Sequence, residues 1–205
     1  MDQRTDEWYA ARLGKVTASR ISDVLSKGKT GESASKATYR AELIAERLTR
    51  ERAQNFVSAA MIWGNEYEPM ARSAYELETG LIVTEVGFID HPTVPMSGAS
   101  PDGLVGDDGL VEIKCPGTKT HIDLLLNKIV PSKYIAQMQW QMACSGRAWA
   151  DFVSFDPRMP EHLMIEVIRV ARDQSFIDEC ITAVSAFLND IAESINLLHS
   201  RVKKC

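Results

Sequence analysis

The chain has 205 residues, 45% hydrophobic and 25% charged, which is the composition of one sizeable globular domain with enough apolar residues for a core. Lysine and arginine total 23 against 28 acids, so the formal net charge is −5 and the overall balance gives no support to sequence-independent binding of a polyanion. No apolar run approaches the roughly 18 residues that a bilayer span requires, and acids occupy positions 2, 6 and 7 where a signal peptide would be apolar, so a cytoplasmic protein without membrane contact is expected.

The stretch from Ser26 to Ser35, rich in Lys, Gly and Ser, reads as a surface loop. From Tyr39 to Arg52, Leu43, Ile44 and Leu48 set among charges predict an amphipathic helix with a basic outer face. A second helix is predicted from about Ala59 to Thr79, with Gly80 as its stop and Pro69 as a bend or a new first turn. Leu81 to Ile89 reads as one β-strand, broken by His91-Pro92-Thr93-Val94-Pro95. The segments 102–106 and 110–115 flank Asp107-Asp108-Gly109, whose Asp-Gly pair suits a tight hairpin turn with positive φ. Pro131-Ser132 opens a helix that ends at Gly146, and strands follow at Ala148 to Phe155 and Leu163 to Val170. Asp173 caps a last helix whose apolar face runs from Phe176 to Leu198 and is expected to pack on the sheet, with a protein partner as the alternative. The order is that of an α/β fold with a central mixed β-sheet flanked by helices and a long C-terminal helix.

Cys115, Cys144, Cys180 and Cys205 form no C-x-x-C pair and the four histidines are scattered, which argues against zinc and iron–sulfur motifs. Any catalytic metal therefore rests on carboxylates. Glu112 and Lys114, two apart on one strand, project to one face, and the hairpin brings Asp102 towards them. Converging carboxylates repel unless a cation offsets their charge, and a hard ion such as Mg²⁺ accepts one or two carboxylates, a carbonyl such as that of Ile113, and waters. A lysine beside a metal-bound water stabilises the hydroxide or contacts a scissile phosphate, which points to phosphodiester hydrolysis. The spacing alone is loose, and the same residues fit the solvated side of an edge strand followed by a turn.

Pro101-Asp102 followed by Glu112-Ile113-Lys114 resembles the PD-(D/E)xK nuclease signature, and the element order is similar to the core of that superfamily. Trp8-x3-Arg12-Leu13-Gly14-x2-Thr17-Ala18-Ser19, Trp63-Gly64-x2-Tyr67-Glu68, Ser100-Pro101-Asp102-Gly103-Leu104, Glu112-Ile113-Lys114-Cys115-Pro116 and Tyr134-x2-Gln137-x-Gln139, extended by Phe155-Asp156-Pro157-Arg158-Met159, narrow the resemblance to the lambda exonuclease, or YqaJ-type viral recombinase, family. The resemblance implies one nuclease domain over residues 1–205, with a basic helical region at 1–58, a catalytic core at 59–170 and a C-terminal helix at 173–200. It implies that Asp102, Glu112 and the Ile113 carbonyl hold Mg²⁺, one or two ions per site and with Mn²⁺ as a substitute, that Lys114 is the catalytic lysine, that Glu68 serves a second metal or its water, and that Gln139, ranked above Gln137, contacts substrate near the scissile phosphate. Arg12, Ser19 and Ser100 would form a pocket for a terminal 5′-phosphate, a role suited to a guanidinium flanked by hydroxyls.

The implied activity is a 5′→3′ double-stranded DNA exonuclease that releases nucleoside 5′-monophosphates and leaves a 3′ single-stranded tail for recombination by strand annealing. The implied partners are DNA ends, two further copies in a homotrimeric ring and a single-strand annealing protein, in a bacterial cell carrying the phage or prophage. Lys27, Lys29, Lys36, Arg40, Arg47, Arg50 and Arg52 lie before residue 60, where the net charge is +3 against −8 beyond it, and fit either a DNA track or a solvated face. Trp8 and Trp63 read as core or wall residues, with base stacking as the alternative. An endonuclease or an iron–sulfur resecting nuclease on the same fold, and a non-catalytic DNA-binding scaffold, are the rival readings.

Overall fold

The computed structural model describes residues 2–29, 31–53 and 58–201. Helix α1 (Asp6–Arg12) starts at Thr5, whose hydroxyl accepts the Trp8 N–H at 3.3 Å, and its first-turn acids and last-turn Arg12 complement the helix dipole. Strand β1 (Val16–Thr17) leads through a 3₁₀ turn into α2 (Ile21–Leu25). The loop expected at 26–35 contains a small hairpin, β2 (Lys27–Gly28) and β3 (Gly31–Glu32), and the N-cap of α3 (Ala34–Thr49). Ser33 accepts the Lys36 N–H at 3.2 Å, so α3 begins five residues before the predicted Tyr39, because the cap rather than the apolar periodicity sets its start.

Helix α4 (Ala59–Thr79) is capped by Ser58 and closed by Gly80 at φ +68°, and it runs through Pro69 without interruption. The predicted strand from Leu81 to Ile89 is two short ones, β4 (Val83–Thr84) and β5 (Ile89–Asp90), which belong to different sheets. Strand propensity is local and carries no information about which sheet a residue joins. Strand β6 (Ser97–Ala99) has small residues and weak propensity; a Cβ on Gly98 would stand 2.4 Å from the Phe88 ring. It pairs in parallel with β1 and antiparallel with β5.

The larger sheet has the order β10-β9-β8-β7-β4, where β7 is Gly103–Val105, β8 Gly109–Lys114, β9 Trp149–Phe155 and β10 Ile165–Ala171. Its β8–β9 pairing is parallel and the others antiparallel, as a mixed sheet requires. The β7–β8 turn takes its positive φ at Gly106 (+52°) rather than at Gly109, which is the first residue of β8. Gly109 is instead a site of close approach, since a Cβ there would lie 2.1 Å from the Trp149 ring. The parallel crossover from β8 to β9 contains α5 (Thr118–Asn127) and α6 (Ser132–Ser145).

Among the described residues, three apolar clusters hold these layers. Ala71 and Tyr75 of α4 pack on Val111, Ile113, Val153 and Phe155 at one face of the sheet, and Leu124, Met138 and Met142 pack on Leu110, Ala150 and Phe152 at the other. The third cluster corrects an expectation. Helix α7 (Gln174–Arg201), with Asp173 accepting the Phe176 N–H, places Cys180, Val184, Phe187 and Ile191 against α2, α3 and α6 rather than on the sheet. Both sheet faces are already covered, and the N-terminal helices supply the remaining apolar surface. Cys115, Cys144 and Cys180 are free thiols; Cys205 lies outside the described residues.

Candidate active site

Strand β8 lies between β7 and β9, so the edge-strand alternative does not hold. Its alternation turns Val111 and Ile113 towards α4, and Leu110, Glu112 and Lys114 towards α6. Glu112 is 0% exposed. A carboxylate so buried needs donors. Lys114 Nζ and Gln137 Nε2 (2.6 Å) donate to its Oε1, and Gln141 Nε2 donates to Oε2 at 2.6 Å.

The paired part of β7 ends at Gly103, opposite Val111, and Asp102 then continues the ladder with its side chain: Oδ2 accepts the Ile113 N–H at 2.6 Å. The N–H and C=O of one strand residue face the same neighbour, so the Ile113 carbonyl faces the Asp102 side. Burial, reinforced by the charge of Glu112, pushes the Asp102 carboxyl up to about 8. Burial alone would lower Lys114, but Glu112 and Asp102 overcome it and hold its ammonium above the ordinary lysine range. Burial raises the neighbouring Cys115 thiol to about 12, which keeps it protonated in the metal-free site.

Among the described residues no three His, Cys, Asp or Glu side chains form a ready ion cage. The donors present are two carboxylates and a backbone carbonyl, all oxygen. Together with the upward displacement of Asp102, they fit a hard divalent cation that retains waters.

Glu68 stands on α4 with both oxygens engaged: Arg4 pairs with Oε2, and Arg72, which also pairs with Glu85, reaches Oε1 at 3.2 Å. Its charge adds to the upward push on Asp102. Gln139 stands apart from these residues. Its Nε2 donates to the Ala171 carbonyl at 2.8 Å and its Oε1 accepts the Asp173 N–H at 2.9 Å, so it ties β10 to the start of α7. Residues two apart on a helix point about 200° apart, so Gln137 and Gln141, at i and i+4, share the face that meets Glu112, and Gln139 cannot. That spacing was available in the sequence and identifies Gln141, which motif matching alone passes over.

Arg12 Nη1 donates to Ser100 Oγ at 3.1 Å, and Trp8 Nε1 donates to the same hydroxyl at 2.9 Å. The Arg12 guanidinium lies 4.1 Å from the centre of the Trp8 ring, so Trp8 is a wall that orients it. Arg12 is pulled down by burial from the usual arginine value. Ser19 is exposed and bonds to Thr17 (3.4 Å), but it lines the same cavity of about 440 Å³ as Arg12. That cavity collects Arg4, Arg12, Lys15, Arg20 and Arg52 against Glu42 and Glu46. Of the basic residues before position 60, Arg40 is committed to Glu32 and Arg47 to the Gly14 carbonyl, whereas Arg52 lies over the Tyr9 ring at the cavity. Trp63 packs against Tyr67 with ring centres 4.0 Å apart and planes tilted by 34°, beneath Arg158.

A mixed sheet carrying Asp102, Glu112 and Lys114 at the open end of β7 and β8 is the arrangement of a PD-(D/E)xK-type DNA nuclease. The chain belongs to the YqaJ-like viral recombinase domain family, whose model matches residues 7–148. It is similar to the crystal structure of an alkaline exonuclease, LHK-Exo, from Laribacter hongkongensis, with 52% identity, a TM-score of 0.91 and coverage of 98% of this chain and 99% of that one. A complex of LHK-Exo with dAMP superposes with a TM-score of 0.92, at the same identity and coverage. A phage-related exonuclease from Haemophilus somnus 129PT, at 16% identity, shares the fold with a TM-score of 0.70 over 88% of this chain and 96% of that one. No curated protein matches the chain.

Proposed function

We propose that the protein is a Mg²⁺-dependent 5′→3′ exonuclease of double-stranded DNA that releases nucleoside 5′-monophosphates and leaves a 3′ tail for strand annealing. The observation that carries this reading is the adjacency of two sites of different chemistry: Ser100, held by Arg12 and Trp8, is two residues from Asp102, which meets β8 beside Glu112 and Lys114. Arg12, Ser19 and Ser100 hold the terminal 5′-phosphate, which sets the next phosphodiester before the carboxylates and gives the reaction its direction. Asp102, Glu112 and the Ile113 carbonyl would hold one cation, and Glu68, paired with Arg4 and Arg72, would serve a second or its water. A bound Mg²⁺ supplies Lewis acidity towards the phosphate and activates water.

Lys114 keeps its proton at Nζ, since Glu112 and Asp102 favour the charged form. As an ammonium it is placed to orient the attacking water and to offset charge developing on the phosphate. Gln137 and Gln141 hold Glu112 in one orientation. The complex of the similar LHK-Exo with dAMP, a nucleoside monophosphate, supports this product class. An acidic surface beyond the N-terminal region supports an enclosing homotrimer, which would retain DNA without non-specific attraction, and the family supports an annealing partner and a phage or prophage origin in a bacterial cytoplasm.

The test is degradation of linear duplexes bearing 5′-phosphate or 5′-hydroxyl, with and without Mg²⁺, beside a covalently closed plasmid. The expected result is Mg²⁺-dependent release from phosphorylated ends and an intact plasmid. Equal rates on both ends remove the phosphate pocket, and equal cutting of the closed circle makes the enzyme an endonuclease.

A further inference from the structure

Arg4 stands between the two halves of the site. It lines the cationic cavity with Arg12 and Ser19, and at the same time its guanidinium pairs with Glu68 Oε2, on the carboxylate side. Its backbone is fixed on both sides: Gln3 Nε2 donates to the Val86 and Pro101 carbonyls at 2.9 and 2.8 Å, and Thr5 caps α1 while its hydroxyl donates to the Asp2 carbonyl. Between these anchors Arg4 adopts φ +68°, a left-handed conformation that a non-glycine residue keeps only where its surroundings impose it. The Arg4 side chain is 43% exposed, so a solvent-facing cation is held beside a carboxylate that is only 18% exposed.

We propose that Arg4 is an exchangeable counter-ion: it neutralises Glu68 while no DNA is bound and transfers to a backbone phosphate of the entering DNA end, which frees Glu68 for a second divalent cation. Glu68 pairs with arginines at both oxygens, and a guanidinium so placed repels a cation at the same carboxylate; Arg72 still holds the other oxygen, so Arg4 is the partner that faces the cationic cavity and has somewhere else to go. The arrangement couples the two ligands. Each entering phosphate that draws Arg4 away improves the cation site, and by reciprocity the cation improves the DNA site. Arg4 is thus a substrate-positioning residue, and the inference rests on the nuclease reading above.

The experiment uses the full chain as wild type, Arg4→Ala, Arg4→Lys and Arg4→Gln, with two readouts that need no turnover. Mn²⁺ binding to the DNA-free protein is followed by electron paramagnetic resonance. Binding of a 5′-phosphorylated duplex is measured in Ca²⁺ across a salt series. Removal of the counter-ion should tighten Mn²⁺ binding in Arg4→Ala and Arg4→Gln on the order of 5-fold, and Arg4→Lys should stay near wild type. The slope of DNA affinity against salt should fall by about 1 in Arg4→Ala, the signature of one lost phosphate contact. Unchanged or weaker Mn²⁺ binding, or an unchanged slope, overturns the proposal. Wild-type protein that shows no preference for phosphorylated over hydroxyl ends instead overturns the phosphate pocket, so the two failures are distinguishable.

Discussion

At the scale of single residues, the site is a contest for the oxygens of Glu112. Three donors fill them, and two come from one face of α6. Removing Gln137 leaves Oε1 to Lys114 alone and loosens the carboxylate that shares the site with Asp102. Gln137→Ala should therefore lower kcat on the order of 10-fold or more, as losses of supporting contacts in metal sites do, with little change in melting temperature. Gln139→Ala should do the opposite. It removes two partly buried hydrogen bonds between α6, β10 and the start of α7, a cost of about 1–3 kcal/mol in urea unfolding, with kcat preserved. A kcat for Gln139→Ala as low as that of Gln137→Ala would return the catalytic role to Gln139. The convergence of Asp102, Glu112 and Lys114 was only half legible in the sequence: strand alternation and a hairpin allow it, but an edge strand fits the same spacing, and the resemblance to the nuclease signature singled these residues out. The choice between glutamines was legible too, but only by counting helical positions rather than by matching a motif.

At the scale of elements, the polar tie that fastens α4 to the sheet lies away from the chemistry. Tyr75 donates to Asp151 Oδ2 at 2.8 Å, and Arg169 forks onto both oxygens at 2.8 and 2.9 Å from the neighbouring strand β10. Tyr75→Phe should cost about 1–2 kcal/mol of stability by urea titration and leave cleavage unaltered, since the other donors to Asp151 remain. A large loss of activity at unchanged stability would mean that α4 positions the site through this bond. Sequence patterning found α4, β8, α6, β9, β10 and α7, all long and periodic. It missed α5, where Thr118–Asn127 has no capping side chain and is bounded by Gly117 and Lys128, and it missed β6, built of Ser, Gly and Ala. It also assigned α7 to the sheet, because an apolar face states that something covers it and not what.

At the scale of the whole molecule, the raised Asp102 carboxyl links folding to pH and to metal. Its ordinary value is 3.8 and its folded value about 8, so between those limits the native state binds a proton that the unfolded chain has lost. The stability this contributes is complete below pH 4 and disappears as pH rises through 8. In EDTA, the melting temperature should fall from pH 6 to pH 9, and Mg²⁺ should raise it more at pH 9, where the ionised carboxylate is the form that binds cations. A metal-free protein as stable at pH 9 as at pH 6 would show that Asp102 ionises without penalty and that the carboxylates do not interact as the geometry requires.

Only Pro101 separates Ser100 from Asp102. Its ring fixes φ, it is buried, and its carbonyl is pinned by Gln3. On the proposed reading, in which Ser100 holds the strand end and Asp102 a cation, the distance between the two groups is set by covalent structure rather than by the breathing of a cleft. Such a spacer would make the molecule a gauge as well as a blade, with product length set by the backbone; a residue inserted beside Pro101 should then produce wrong-sized fragments, read on a sequencing gel, before it produces a dead enzyme.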